Sequence, residues 1–323
     1  MKQRLSWIDW AKVICIWLMI CCHAGQKGLI LDLSYQFHMP AFFIISGFLF
    51  HAKGIKKELK GFGIPIIFYG IICLCYRLLI IISKSDNIDV GEITTRCLLI
   101  LKVSLKSLVV SSEISWFQGY WFVVTLMLIR LLMEWHIFVE YKYMIAALCV
   151  VWNSIEPYMN VSPLIMGFKP YHVISCLPFF VLGMVVKEKQ IKLDTGRAEY
   201  KLIAASLFFV LTLIQRQIDL SIYCYGYSYI ICFLNACLGS WLLFSTTSSL
   251  PQCNWIQTLA TGTLLILGLH GILYGYVTSF FHKFLGLNGF YIPLFVGLIV
   301  LGLCFPLIMW LEKKQPLLLG KIH

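Results

Sequence analysis

From Phe290 to Leu311 the sequence reads FYIPLFVGLIVLGLCFPLIMWL, with no charged residue in it. The hydrocarbon core of a bilayer is about 30 Å thick and takes roughly 20 apolar residues of helix to cross, a length this stretch meets. Similar stretches recur along the whole chain, which is 60% hydrophobic and only 13% charged, with a mean hydropathy of +0.84. Soluble domains lie far from that balance. In lipid every backbone N–H and C=O must find its partner inside the protein, so only helices or a closed barrel cross it. The apolar runs are continuous rather than alternating, which selects helices. The expectation is an all-α integral membrane protein, a bundle of about ten transmembrane helices in a single multi-pass domain over 1–323. Its spans are expected near 7–23, 36–51, 62–82, 119–135, 142–157, 172–187, 201–216, 224–245, 257–281 and 290–311.

The net charge of +11 would favour nucleic acid in a soluble chain, but here most Lys and Arg fall between apolar segments, as a topology signal does. Membrane lipids are therefore expected partners and nucleic acid is not. With the amino terminus inside, the inner side collects Lys2, Arg4, Lys53, Lys56, Lys57, Lys60, Lys187, Lys189, Lys313 and Lys314 among others, so both termini are expected to be cytoplasmic. Trp7, Trp135, Trp255 and Trp310 at segment ends suit interfacial belts. Lys2 and Arg4 before an apolar run imitate a signal peptide, but Asp9 and Lys12 interrupt it and no small-residue cleavage site follows. This segment is expected to stay as the first helix. The interval 83–118, with Arg96, Lys102 and Lys106 among apolar residues, reads as an interfacial amphipathic helix. The 13 cysteines form no CxxC pair, and Cys15, Cys73, Cys149 and Cys237 lie inside apolar runs, as buried free thiols do. No metal is expected.

The first segment, DWAKVICIWLMICCH over 9–23, carries three polar residues that lipid does not favour. At about 100° per residue Lys12 and His23 are roughly 20° apart around the helix, and Asp9 lies within roughly 60° of both. They are about 16 Å apart along the axis, so the polar stripe runs most of the way through the membrane. Intramembrane ionisable groups usually face a bundle interior or a wet cavity and mark a functional path. Asp9 and Lys12 also satisfy an i, i+3 ion pair at the interface, with Lys12 reaching for the headgroups.

The next segment, YQFHMPAFFIISGFLFH, places His38 near its start. On an antiparallel neighbour His38 lies level with His23, and two imidazoles at one depth make an acid/base site, since a pKa near 6.5 permits proton transfer at neutral pH. Pro40 fits an early helix position, while Ser46 and Gly47 allow close helix packing or a ligand against the backbone. Immediately after, Lys53, Lys56, Lys57 and Lys60 recur at helical spacings. Such a cluster enforces topology, binds anionic lipid or grips the phosphates of a cytoplasmic ligand.

These residues resemble the acyltransferase 3 family of multi-pass membrane acyltransferases, and most closely its fucose 4-O-acetylase-like branch. RLSWIDWAKVICIWLMICCH fits that family's basic residue, ten residues, then histidine, with Lys12 and His23 at the two ends. FHMPAFFIISGFLF is similar to its second-helix signature. Lysines stand where the family often has an arginine, two residues, then arginine, and the loop leads on to GIPIIFYG. GYWFVVTLM, around Trp121 and Phe122, is similar to the family's Trp-Phe-Leu segment with Val123 in place of Leu; LPFFVLGMVVK resembles its sixth helix, and TGTLLILGLHGILYG carries a late histidine, His270.

The resemblance implies transfer of an acyl group, usually acetyl from acetyl-CoA, across the cell's inner membrane to a sugar hydroxyl of an extracytoplasmic glycan or its lipid-linked precursor. On that reading His23 is the general base, the alternative being the nucleophile of a short-lived acyl-imidazole, with His38 sharing its proton and Lys12 contacting the donor. Lys53, Lys56, Lys57, Lys60 and Ser46 hold the acyl-CoA, and His270 and Trp121 contact the acceptor. Asp9, Pro40 and Gly47 are structural. Two other classes fit parts of the pattern. One is an exporter of polysaccharide or of an acyl carrier without catalysis. The other is a haem-binding electron carrier with His23 and His270 as axial ligands, a scheme that needs histidines paired at matching depth.

Overall fold

The computed structural model describes residues 4–83, 91, 94–95, 98–99, 120–159, 171–192, 197–215 and 218–322. Most of the interval 83–118, with its expected interfacial helix, lies outside the described residues. The described chain forms twelve α-helices. They are α1 (Ser6–His23), α2 (Leu29–Phe48), α3 (Ile55–Ser83), α4 (Tyr120–Met133), α5 (His136–Glu140) and α6 (Lys142–Ile155), then α7 (His172–Glu188), α8 (Ala198–Gln215), α9 (Tyr229–Thr247), α10 (Asn254–Thr261), α11 (Thr263–Lys283) and α12 (Ile292–Lys314).

Among the described residues seven helices are long and apolar enough to cross a membrane: α1, α2, α3, α8, α9, α11 and α12. The expected spans at 119–135, 142–157 and 172–187 are the shorter helices α4, α6 and α7, of 14, 14 and 17 residues. Large apolar side chains point outward from the long helices, among them Ile67 and Ile71 on α3, Leu202 and Ile203 on α8, and Leu298 and Leu303 on α12. A face of that kind is what lipid, rather than water, covers.

α1 is the central helix, packed against α2, α9, α10, α11 and α12. Its buried positions Ile8, Ala11, Cys15, Ile16, Met19 and Ile20 recur at three- and four-residue spacing, the period that keeps one stripe in a core. α2 crosses α7 with the backbones almost touching. A Cβ on Gly47 would lie 1.9 Å from the Phe180 carbonyl oxygen, and one on Gly183 1.9 Å from that of Ile44. Only glycine permits this approach.

Two boundaries differ from the sequence reading. α2 starts at Leu29 rather than near 36, so Pro40 sits mid-helix and not in an early turn. The polar groups of this first part are absorbed in the fold: Asp32 occupies the first turn and the Ser34 hydroxyl donates to Ile30 O at 2.6 Å, while Gln36 Oε1 accepts from Asn235 Nδ2 at 3.0 Å. The expected span 257–281 is broken at Gly262 into α10 and α11. A Cβ there would meet Ile308 Cδ1 at 2.2 Å, so the glycine lets the break pack directly onto α12.

Candidate active site

Two cavities lie toward opposite ends of α1, one holding Lys12 and the other His23. The Lys12 cavity has a volume of about 690 Å³. Its cations come from six places: Arg4 before α1, Lys12 on α1, Lys53 between α2 and α3, Arg130 on α4, Lys187 on α7 and Lys321 after α12. Four of them are held in place, Lys321 by Glu312 at 2.5 Å. Arg4 clasps Asp9 in a fork, at 2.6 Å from Nε and 2.9 Å from Nη2, and the same Nη2 donates to Gln257 O at 3.0 Å. That contact ties the chain before α1 to the middle of α10. Asp9 was expected to steady Lys12; its direct partner is instead Arg4, whose planar fork matches both carboxylate oxygens. Lys12, half-buried, makes no hydrogen bond or close ion pair with a described residue.

Arg130 carries the second fork. Its Nε and Nη2 donate to Glu58 at 2.9 and 2.6 Å, with both side chains buried, and Nη1 donates to Ser46 Oγ at 3.3 Å. One guanidinium thus ties α4 to α2 and α3, and Phe50 and Phe62 pack against it at 5.2 and 5.8 Å. Lys187 Nζ donates to Phe50 O at 2.6 Å. Glu134 fixes the α2–α3 connection by accepting from Lys53 N and Gly54 N at 2.9 and 2.7 Å. Of the residues expected to hold acyl-CoA, Lys53 and Ser46 line the cavity. Lys56, Lys57 and Lys60 are exposed on the first turns of α3 and are not in its wall.

The second cavity, about 260 Å³, brings together His23, Tyr35, His38, Trp121, Asp219, Ser221 and His270. Lys12 is not among them. His38 Nδ1 lies 2.6 Å from Ser34 O, and His270 Nδ1 lies 2.8 Å from Leu267 O. A carbonyl only accepts, so each Nδ1 carries the proton and each Nε2 keeps its lone pair. Both rings are buried. His23 differs from them, being exposed along the cavity wall with no hydrogen bond to a described residue. Its ring centroid is 5.3 Å from that of His270.

Opposite the histidines, the turn between α8 and α9 supplies Asp219 and Ser221. Asp219 Oδ1 accepts from Ser221 N at 2.8 Å and Ser221 Oγ at 2.6 Å, and its backbone pairs with Cys224 in both directions. The turn is pinned by His172. The Nε2–H of that residue donates to Ser221 O at 3.0 Å, and its Nδ1 accepts from the Tyr223 hydroxyl at 2.8 Å. Burial holds the Tyr223 hydroxyl well above the usual phenol range, with Tyr225 nearby adding to the effect, so Tyr223 keeps the proton it donates. Trp121 lies against His172, centroids 5.1 Å apart.

The sequence reading missed this turn, His172 and the Arg130–Glu58 fork. Arg130 had one usable signal, a charge inside an apolar run.

Fold and site together define a multi-pass membrane protein with a cation-lined chamber and a histidine-lined chamber at opposite ends of one central helix. Residues 5–311 match the acyltransferase domain of the acyltransferase 3 family, and the chain belongs to that family of acyltransferases. No curated protein and no solved structure gives a match.

Proposed function

We propose that the protein transfers acetyl, or a similarly short acyl group, from cytoplasmic acyl-CoA to a sugar hydroxyl of an extracytoplasmic glycan or lipid-linked precursor. The Lys12 cavity takes the donor: Arg4, Lys12, Lys53 and Lys187 supply the charge that CoA phosphates require. Both termini then face the cytoplasm, in keeping with the Lys and Arg distribution, and the histidine cavity opens outward, in the inner cell membrane. The resemblance to the fucose 4-O-acetylase-like branch supports a sugar as acceptor.

One observation carries the reading. His23 is exposed on the wall of its cavity and makes no hydrogen bond with a described residue, beside two histidines whose Nδ1 protons are committed elsewhere. As general base it takes the hydroxyl proton while the oxygen attacks the thioester carbonyl. The C–O bond forms, the C–S bond breaks, and the proton passes from His23 to the departing sulfur, leaving ester and CoA thiol. His270 packs against the base, His38 shares its chamber wall, and Asp219, with Oδ2 not bonded to a described residue, accepts from neighbouring acceptor hydroxyls.

Mass spectrometry of surface glycan from cells with and without the protein tests this. The expected result is an acyl increment that disappears in His23→Ala. Glycan carried outward with its mass unchanged would replace transfer with export.

A further inference from the structure

Leu267 is the one residue, among the described residues, that lines both cavities. It lies on α11 between Leu264, in the wall of the Lys12 cavity, and His270, in the wall of the histidine cavity. The three occur at three-residue intervals, so α11 passes from one chamber to the other within about 9 Å of axis. The Leu267 side chain is 8% exposed and belongs to the apolar core, so a close-packed aliphatic group stands where the chambers meet.

The backbone around this leucine is held. The neighbouring Gly268 has no room for a side chain, since a Cβ there would lie 2.5 Å from Tyr69 Cγ. Its carbonyl accepts from Cys73 Sγ at 3.3 Å. The Leu267 carbonyl accepts from His270 Nδ1, which ties the leucine to the ring beside His23. Next to the Leu267 side chain is a small void of about 10 Å³, shared with Tyr69, Tyr120, Val123 and Leu264. Such a space holds about one water-sized probe. This is the side on which the packing around Leu267 is incomplete.

We propose that the Leu267 side chain is the partition between the two chambers and fixes the length of the acyl chain transferred. The inference rests on the acyl-transfer reading above. For the thioester carbonyl to reach an oxygen activated by His23, the acyl group must come past Leu267. The C–S bond then breaks, the C–O ester bond forms, and the hydroxyl proton travels through His23 to sulfur. An acetyl methyl passes with a rotation of the leucine, whereas each further methylene of a longer chain overlaps the isopropyl group. Shortening Leu267 to alanine removes three carbons at that point.

The test uses the full-length protein in proteoliposomes, with acetyl-, butyryl- and hexanoyl-CoA supplied separately and a glycan acceptor present. Thiol release and ester mass are both recorded. One methylene in a fitted apolar pocket changes rates by roughly 10-fold or more, so Leu267→Ala is expected to raise the hexanoyl-to-acetyl rate ratio at least ~10-fold. Leu267→Phe is expected to lower acetyl transfer by a similar factor. Leu267→Val, which keeps most of the volume, is expected to shift the ratio in the same direction as alanine but by less, and it serves where alanine folds poorly. Loss of folded protein lowers all three rates together, so only a change in gate size moves the ratio. A ratio unchanged in Leu267→Ala and Leu267→Val, with acetyl transfer intact, would overturn the gate alone. Wild-type protein that acylates no acceptor from any of the three donors would overturn the transfer reading and the gate with it.

Discussion

The two chambers solve opposite problems with the same helices. Around Lys12 the protein concentrates cations and pairs two of them with buried carboxylates, Asp9 on Arg4 and Glu58 on Arg130. Around His23 it places imidazoles fixed by carbonyls, with Asp219 the charged side chain in the wall. The first arrangement attracts an anion without consuming the ammonium of Lys12. The second, among the described residues, lines its wall with imidazoles and with no lysine or arginine. The difference teaches that the cations and the imidazoles are kept apart in the fold; on the proposed reading this separates donor binding from proton transfer, and α1 joins the two because it carries both Lys12 and His23.

Breaking the chemistry of one chamber should leave the other intact. The largest effect is expected from His23→Ala, which should lower acyl transfer by about 10²–10⁴-fold, the usual worth of a positioned base, with acyl-CoA binding unchanged by calorimetry. Weakened CoA binding in this variant would show that the chambers are not separate. Arg130→Met leaves Glu58 as an uncompensated buried charge. A cost of about 3–5 kcal/mol is expected, read as a lower thermal midpoint of the detergent-solubilised protein, and Arg130→Met with Glu58→Gln should recover much of it.

Smaller effects sharpen the contrast. Lys12→Met should raise KM for acyl-CoA ~10-fold, since a hydrogen bond to a charged group contributes about 1.5–3 kcal/mol, with a lesser change in kcat; an effect confined to KM for the acceptor would move Lys12 to the wrong chamber. Tyr223→Phe removes the hydroxyl that donates to His172 Nδ1 and should cost about 1 kcal/mol, seen as a several-fold rise in acceptor KM with donor KM unchanged. The smallest change is expected from Lys56→Gln, Lys57→Gln and Lys60→Gln together. Their exposed charges lie outside the donor cavity, so donor KM should move by less than it does in Lys53→Gln.

Much of this contrast was legible in the sequence because it lies along single helices. The separation of Lys12 and His23 follows from helical rise and angle alone, and the apolar runs predicted helices wherever the described chain has its long ones. What was not legible depends on distant pairings. Glu58 and Arg130 are 72 residues apart, and nothing periodic links them. Arg4 lies five residues from Asp9, outside the i, i+3 rule that assigned Asp9 to Lys12. Asp219 and Ser221 gain their place from His172, which the sequence shows only as a lone histidine at the start of an apolar run. Leu267 is indistinguishable from the other leucines of TLLILGLHG until both cavities are seen to share it. The early start of α2 was hidden because Asp32 and Ser34 precede the expected span, while in the fold Asp32 sits in the first turn and Ser34 donates to Ile30 O within the helix.

The central claim is that the acyl group passes from one chamber to the other. Sealed proteoliposomes of one orientation, with acyl-labelled acyl-CoA on the Lys12 side and the glycan acceptor only on the His23 side, test it directly. The account predicts labelled ester on the acceptor side, CoA thiol released on the donor side, and neither in His23→Ala. Labelled ester appearing only when donor and acceptor are on the same side of the membrane would contradict it.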